Sequence, residues 1–68
     1  MKLISSTLRF TGCREKTWLA DDDTEITADF DTESAPGSKI LVVGSGNLFV
    51  KNCKGQWQKF GTNEIVTA

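Results

Sequence analysis

With 68 residues, nine acidic and eight basic side chains and no histidine, the chain makes one small domain, residues 1–68, in which imidazole chemistry is excluded. Ser-His-Asp and Cys-His nucleophilic pairs fall with it, and no cofactor motif takes their place. A chain this short buries only about 60% of the surface its unfolded form exposes, so a staple, a metal or a neighbouring subunit is expected to support the fold.

Lys2 to Thr11 places Ile4, Leu8 and Phe10 on one parity and Leu3, Ser5, Thr7 and Arg9 on the other, which predicts a strand with one buried face. Gly12 to Asp23 lacks periodicity and reads as a long connection, anchored by Trp18 and Leu19. Thr24 to Asp31 alternates Ile26, Ala28 and Phe30 with Glu25, Thr27, Asp29 and Asp31, predicting a strand with a wet acidic face. Thr32 to Ser38 is a loop holding the single proline, Pro36.

The apolar run Ile40-Leu41-Val42-Val43 has no polar residue at alternate positions and predicts a central strand covered on both faces. Gly44-Ser45-Gly46-Asn47 follows as a turn, Leu48-Phe49-Val50 as the returning strand, and Asn52-Cys53-Lys54-Gly55 as a second reversal into Gln56 to Phe60. Glu64-Ile65-Val66 is read as a last short strand. The expected fold is all-β: a small antiparallel barrel or sandwich of five to six strands with a C-terminal three-stranded meander.

Charge is segregated along the chain. Residues 1–20 carry Lys2, Arg9, Arg14 and Lys16 against Glu15, net +3; residues 21–33 carry Asp21, Asp22, Asp23, Glu25, Asp29, Asp31 and Glu33, net −7; residues 34–68 carry Lys39, Lys51, Lys54 and Lys59 against Glu64, net +3. The acidic stretch reads first as a solvated face, with a basic partner surface, including a neighbouring copy, as the functional alternative.

Val43-Gly44-Ser45-Gly46 lacks the third glycine of a dinucleotide loop and precedes a strand where a helix is required. The acids at 21–25 lack the spacing of an EF-hand. Cys13 and Cys53 have no C-x-x-C partner, so no metal site is expected. Joining them in a disulfide would stabilise by about 4 kcal/mol on the loop-closure argument. No export signal points to an oxidising compartment, however, and no apolar run is long enough to span a membrane. Phe49-Val50-Lys51 and Trp57-Gln58-Lys59-Phe60 hint at the basic and aromatic interleaving of a nucleic-acid surface, which the acidic block and the sequence pI near 5.2 oppose.

Pro36-Gly37-Ser38, Ile40 to Val43, Ser45-Gly46-Asn47, Leu48-Phe49-Val50 and Lys54-Gly55-Gln56-Trp57 together resemble a pattern in small virion structural proteins of tailed bacteriophages. In that pattern a Gly-Ser start, an apolar strand, a Gly and Asn turn and an aromatic-aliphatic strand lead to a Gly-x-Trp hairpin. Met1 to Ile4 running to Phe10-Thr11-Gly12 is similar to the opening of such proteins, while Phe49 stands where tyrosine is common and Asn52-Cys53 where Asp-Gly or Asn-Gly turns are frequent. The resemblance implies a protein made in the host bacterial cytoplasm and carried in the virion. It would bind the major capsid protein or another virion protein in many copies, as capsid decoration or accessory head protein, as a homo-oligomer or lattice. The alternatives are a fibre, tail or baseplate module recognising a host glycan or protein, and a small β-barrel binding nucleic acid. An enzyme is not expected. The candidate partner interface comprises Trp18, Asp21, Asp22, Asp23, Phe49 and Trp57.

Overall fold

The computed structural model describes residues 1–9 and 12–67. The protein is all-β: β1 (Lys2–Leu8), β2 (Arg14–Ala20), β3 (Lys39–Val42), β4 (Leu48–Lys51) and β5 (Trp57–Lys59), with one short 3₁₀ turn at Asp23–Glu25. They form a single sheet in the order β1-β2-β3-β4-β5. The pairs β1/β2, β3/β4 and β4/β5 are antiparallel, and β2/β3 is parallel. The sheet is mixed and not closed, so the pairing expected of an antiparallel barrel is absent, and no second sheet makes a sandwich among the described residues.

The segment 14–20, expected as a connection, is instead β2. Trp18 and Ala20 share the inner face with Ile40 and Val42, opposite which they pair, while Thr17 and Leu19 lie on the outer face beside Lys39 and Leu41. The alternation is hidden in the sequence because Lys16 falls on the inner parity, where its ammonium reaches Asp31 Oδ1 at 3.2 Å. A charged residue at an inward position is tolerated because its counter-ion comes from a distant part of the chain.

Parallel pairing of β2 and β3 obliges residues 21–38 to cross over the sheet. They do so without the strand predicted for Thr24 to Asp31. Asp22 accepts from Thr24 N at 3.0 Å and Glu25 Oε2 accepts from Asp21 N at 2.7 Å and Asp22 N at 3.2 Å, a capping box that coils the chain. Further on, Thr27 Oγ1 donates to Asp29 Oδ1 at 2.7 Å and Asp31 takes a left-handed φ of 45°. Short polar side chains here bond locally and so compete with a ladder. Of the three apolar residues assigned to that strand, Ile26 is buried and Phe30 packs on the core, while Ala28 is exposed.

The two reversals follow the sequence closely. Gly46, at φ 76°, donates to Val42 O at 2.8 Å, and Asn52 Oδ1 gathers the amides of Lys54 and Gln56 at 2.9 and 3.0 Å. Gly44 is a matter of space: a Cβ there would strike the carbonyl oxygen of Asp21. Residues 64–66 lie along β5 through Lys59 N to Glu64 O and Val66 N to Trp57 O, at 2.8 and 2.9 Å, with one isolated bridge where a short strand was expected.

Ala20, Ile26, Ile40, Val42, Phe49 and Trp57 form the core on the inner face, with Trp18, Phe30 and Val66 packed against it. Two side chains of the sheet grip the crossover. Trp57 Nε1 donates to Phe30 O at 2.7 Å, and the buried Lys51 donates from Nζ to Asp31 O at 2.6 Å and Ser34 Oγ at 3.0 Å. Lys51 also lies 5.5 Å from the Trp57 ring centroid, a cation–π distance. Burial pulls its ammonium below the ordinary lysine range, against an opposite pull from Asp31.

Trp57→Ala is expected to lose about 3–5 kcal/mol in denaturant unfolding. Lys51→Ala, which opens a void and strips Ser34 Oγ and Asp31 O of a donor, is expected to lose about 2–4 kcal/mol. Lys51→Met keeps most of the volume and should lose less than Lys51→Ala in the same titration.

Candidate functional site

Because the crossover covers only the inner face, the outer face of the sheet keeps its side chains exposed or half-buried. The apolar strand Ile40 to Val43 was expected to be covered on both sides. Ile40 and Val42 are buried, but Leu41 and Val43 are 43% and 62% exposed. Leu41 pairs with Leu19 on one side and Leu48 on the other, so an apolar row crosses three strands. Next to it Leu48, Val50 and the 70% exposed Phe60 line an open concavity of about 380 Å³. Lys39 brings positive charge to that concavity, and the amides of Asn52, Gln58 and Asn63 complete its wall.

Those amides are already ordered by one another. Asn52 Nδ2 donates to Gln58 Oε1 at 3.3 Å and Gln58 Nε2 to Asn63 Oδ1 at 3.0 Å. Lys39 lies 4.0 Å from Glu15, at the limit of an ion pair. The arrangement is an apolar surface with one lysine, Lys39, at its rim, suited to contact with a partner that supplies apolar side chains.

The six residues assigned to an interface from sequence separate into three roles. Phe49 and Trp57 are core residues, with Trp57 fully buried, so the assignment of their side chains to a surface is corrected. Trp18 is half-buried, its ring edge-on to Phe30 at 5.1 Å between centroids. Asp21, Asp22 and Asp23 belong to the crossover. Asp22 caps the 3₁₀ turn, and Asp23 accepts from Ser45 Oγ and Asn47 Nδ2, both at 2.8 Å, so it holds the β3/β4 turn. Asp21 is exposed. The interleaving read as a nucleic-acid hint fails on the same ground, because Phe49 and Lys51 point inward and Lys51 is only 2% exposed. Leu41, Leu48, Val50 and Phe60 were missed as a surface; the signal was the uninterrupted apolar run itself.

Among the described residues no group of three or more Cys, Asp or Glu side chains is placed to hold a metal ion. Cys13 and Cys53 are both exposed, and no disulfide joins them. No helix is long and apolar enough to cross a membrane among the described residues. No family model, curated protein or solved structure matches the chain.

Glu25 has the clearest electrostatic role in the crossover. The Met1 ammonium at 2.9 Å and the amides of Asp21 and Asp22 hold its carboxyl below the usual glutamate range. A carboxyl bound more tightly as the anion in the folded state stabilises above its unfolded pKa, and that contribution disappears as pH falls through the lowered folded value. Glu25→Gln should therefore flatten the acid limb of a thermal-stability profile and also the alkaline limb, where wild type loses the Met1 ammonium whose pKa the same pair raises. On the outer face, Phe60→Asp should alter unfolding free energy by no more than about 0.5 kcal/mol while reducing retention on a hydrophobic-interaction column.

Proposed function

We propose that this chain is a structural protein of a tailed-bacteriophage virion, a capsid-decoration or accessory head protein that binds the assembled shell in many copies through the outer face of its sheet. The observation that carries the contact role is the outward side of the apolar run 40–43: Leu41 of β3 and Val43 just after it are 43% and 62% exposed. A single-layer sheet with an apolar outer face gains free energy when a partner removes that face from water, at about 25 cal/mol per Å² of apolar surface. In this reading the partner supplies the second layer, and the sandwich expected from the sequence is completed between chains. The virion setting is supported by the resemblance of residues 36–60 to small phage structural proteins. Lys39 at the rim favours an acidic side chain on the shell.

A second reading, a fibre or baseplate module that recognises a host glycan, is favoured by one feature. Phe60 stands exposed beside the amides of Asn52, Gln58 and Asn63, and an aromatic face flanked by amides suits a sugar ring.

Cryo-electron microscopy of particles with and without the protein separates the two. The proposal expects regular added density on the capsid lattice and its loss with Phe60→Asp or Leu41→Asp. Density confined to a tail tip or fibre would support the glycan module, and particles that never carry the protein would overturn both.

A further inference from the structure

The sheet has two ends, and they differ. Beyond β5 the chain continues as 64–66 and takes backbone hydrogen bonds from Lys59 and to Trp57. Beyond β1 nothing pairs: among the described residues, β1 bonds through its backbone to β2 alone. β1 is seven residues long and every one of them is exposed. Natural edge strands are protected from other chains by charge, proline, shortness or distortion. From Leu3 to Leu8 there is neither a charged residue nor a proline, and the one irregularity, between Leu3 and Ser5, leaves Ser5 to Leu8 in regular register.

We propose that β1 is a self-pairing edge, along which two copies join antiparallel about a two-fold axis at Ser6 to make one sheet continuous across both chains. The sequence of the edge complements itself in that register. Ser6 opposes its own copy and Ser5 opposes Thr7, so hydroxyls meet hydroxyls; Ile4 is the extra residue of the irregularity, and Leu8 meets the apolar Leu3 and Ile4 end of the other copy. Lys2 and Arg9 fall at the two ends of the paired stretch, outside residues 3–8, where solvent screens them. A foreign strand would have to match this pattern by chance, whereas a second copy matches it by symmetry. The joint goes beyond the shell-docking reading, because it uses the sheet edge and leaves the outer face open.

Site-directed cross-linking of the full chain tests it, with Cys13 and Cys53 replaced by serine. Ser6→Cys in that background places two thiols at the symmetry axis and is expected to oxidise to a covalent dimer under mild oxidant. Asp29→Cys, exposed on the crossover, should stay monomeric under the same conditions. In sedimentation, wild type is expected to dimerise at micromolar concentration. Ser6→Lys, which sets two ammonium groups against each other, should weaken dimerisation several-fold with an unchanged circular dichroism spectrum. Equal cross-linking by the two cysteine variants, or a wild-type chain that stays monomeric across the concentration range, would overturn the pairing. A monomer that still decorates capsids would sink this joint alone, and a dimer that does not bind capsids would sink the docking reading alone.

Discussion

Two adjacent carbonyls, those of Phe30 and Asp31, are held by side chains from two neighbouring strands, Trp57 of β5 and Lys51 of β4. The rest of the molecule depends on this grip. It fixes the crossover on the inner face, brings Phe30 between Trp18 and Trp57, with ring centroids 5.1 and 6.0 Å away, and closes the core that Ile40, Val42 and Phe49 offer from the sheet. A lysine ammonium is costly to bury. Here the cost is offset by a carbonyl, a hydroxyl and an aromatic face, all at bonding distance. Asp31 joins the same cluster from the other side by accepting Lys16.

The grip also decides what is left over. A chain of this length has one segment long enough to serve as a second layer, and it is committed to the inner face. Leu41 and Phe60 on the outer face, and β1 at the edge, are then left exposed, with Leu19, Leu48 and Val50 half-buried beside them. Charge does not divide in the same way: on the covered side the crossover meets Lys16 and Lys51, while Lys39 lies at the outer concavity with Glu15 4.0 Å away.

How much of this was legible in the sequence depended on whether the signal was local. The reversals at Gly44 to Asn47 and Asn52 to Gly55 are set by residues that dictate their own backbone, and they form where expected. The all-β class followed from them. β2 was not legible because Lys16 breaks its alternation, and the partner that permits this, Asp31, is distant in sequence. The strand expected at Thr24 to Asp31 showed a clean period of two, but Asp22, Glu25 and Thr27 bond to nearby backbone or side chains and win over a ladder that would need a partner strand. β1 was expected to bury one face; it is exposed throughout, because it lies at the edge beyond the reach of the crossover. Phe10 and Thr11, assigned to that strand, lie outside the described residues. The outer face was misread for an instructive reason: an apolar run predicts cover on two sides, and the sequence does not say whether its own chain provides both.

The most direct measurement is residue-resolved solvent exposure by nuclear magnetic resonance with a soluble paramagnetic agent in the isolated chain. The account predicts strong relaxation of the Leu41, Val43 and Phe60 side-chain signals and protection of Ile40, Val42 and Trp57. Equal protection of both sets in a monomeric sample would show that the chain covers both faces of its own sheet, and would contradict the account.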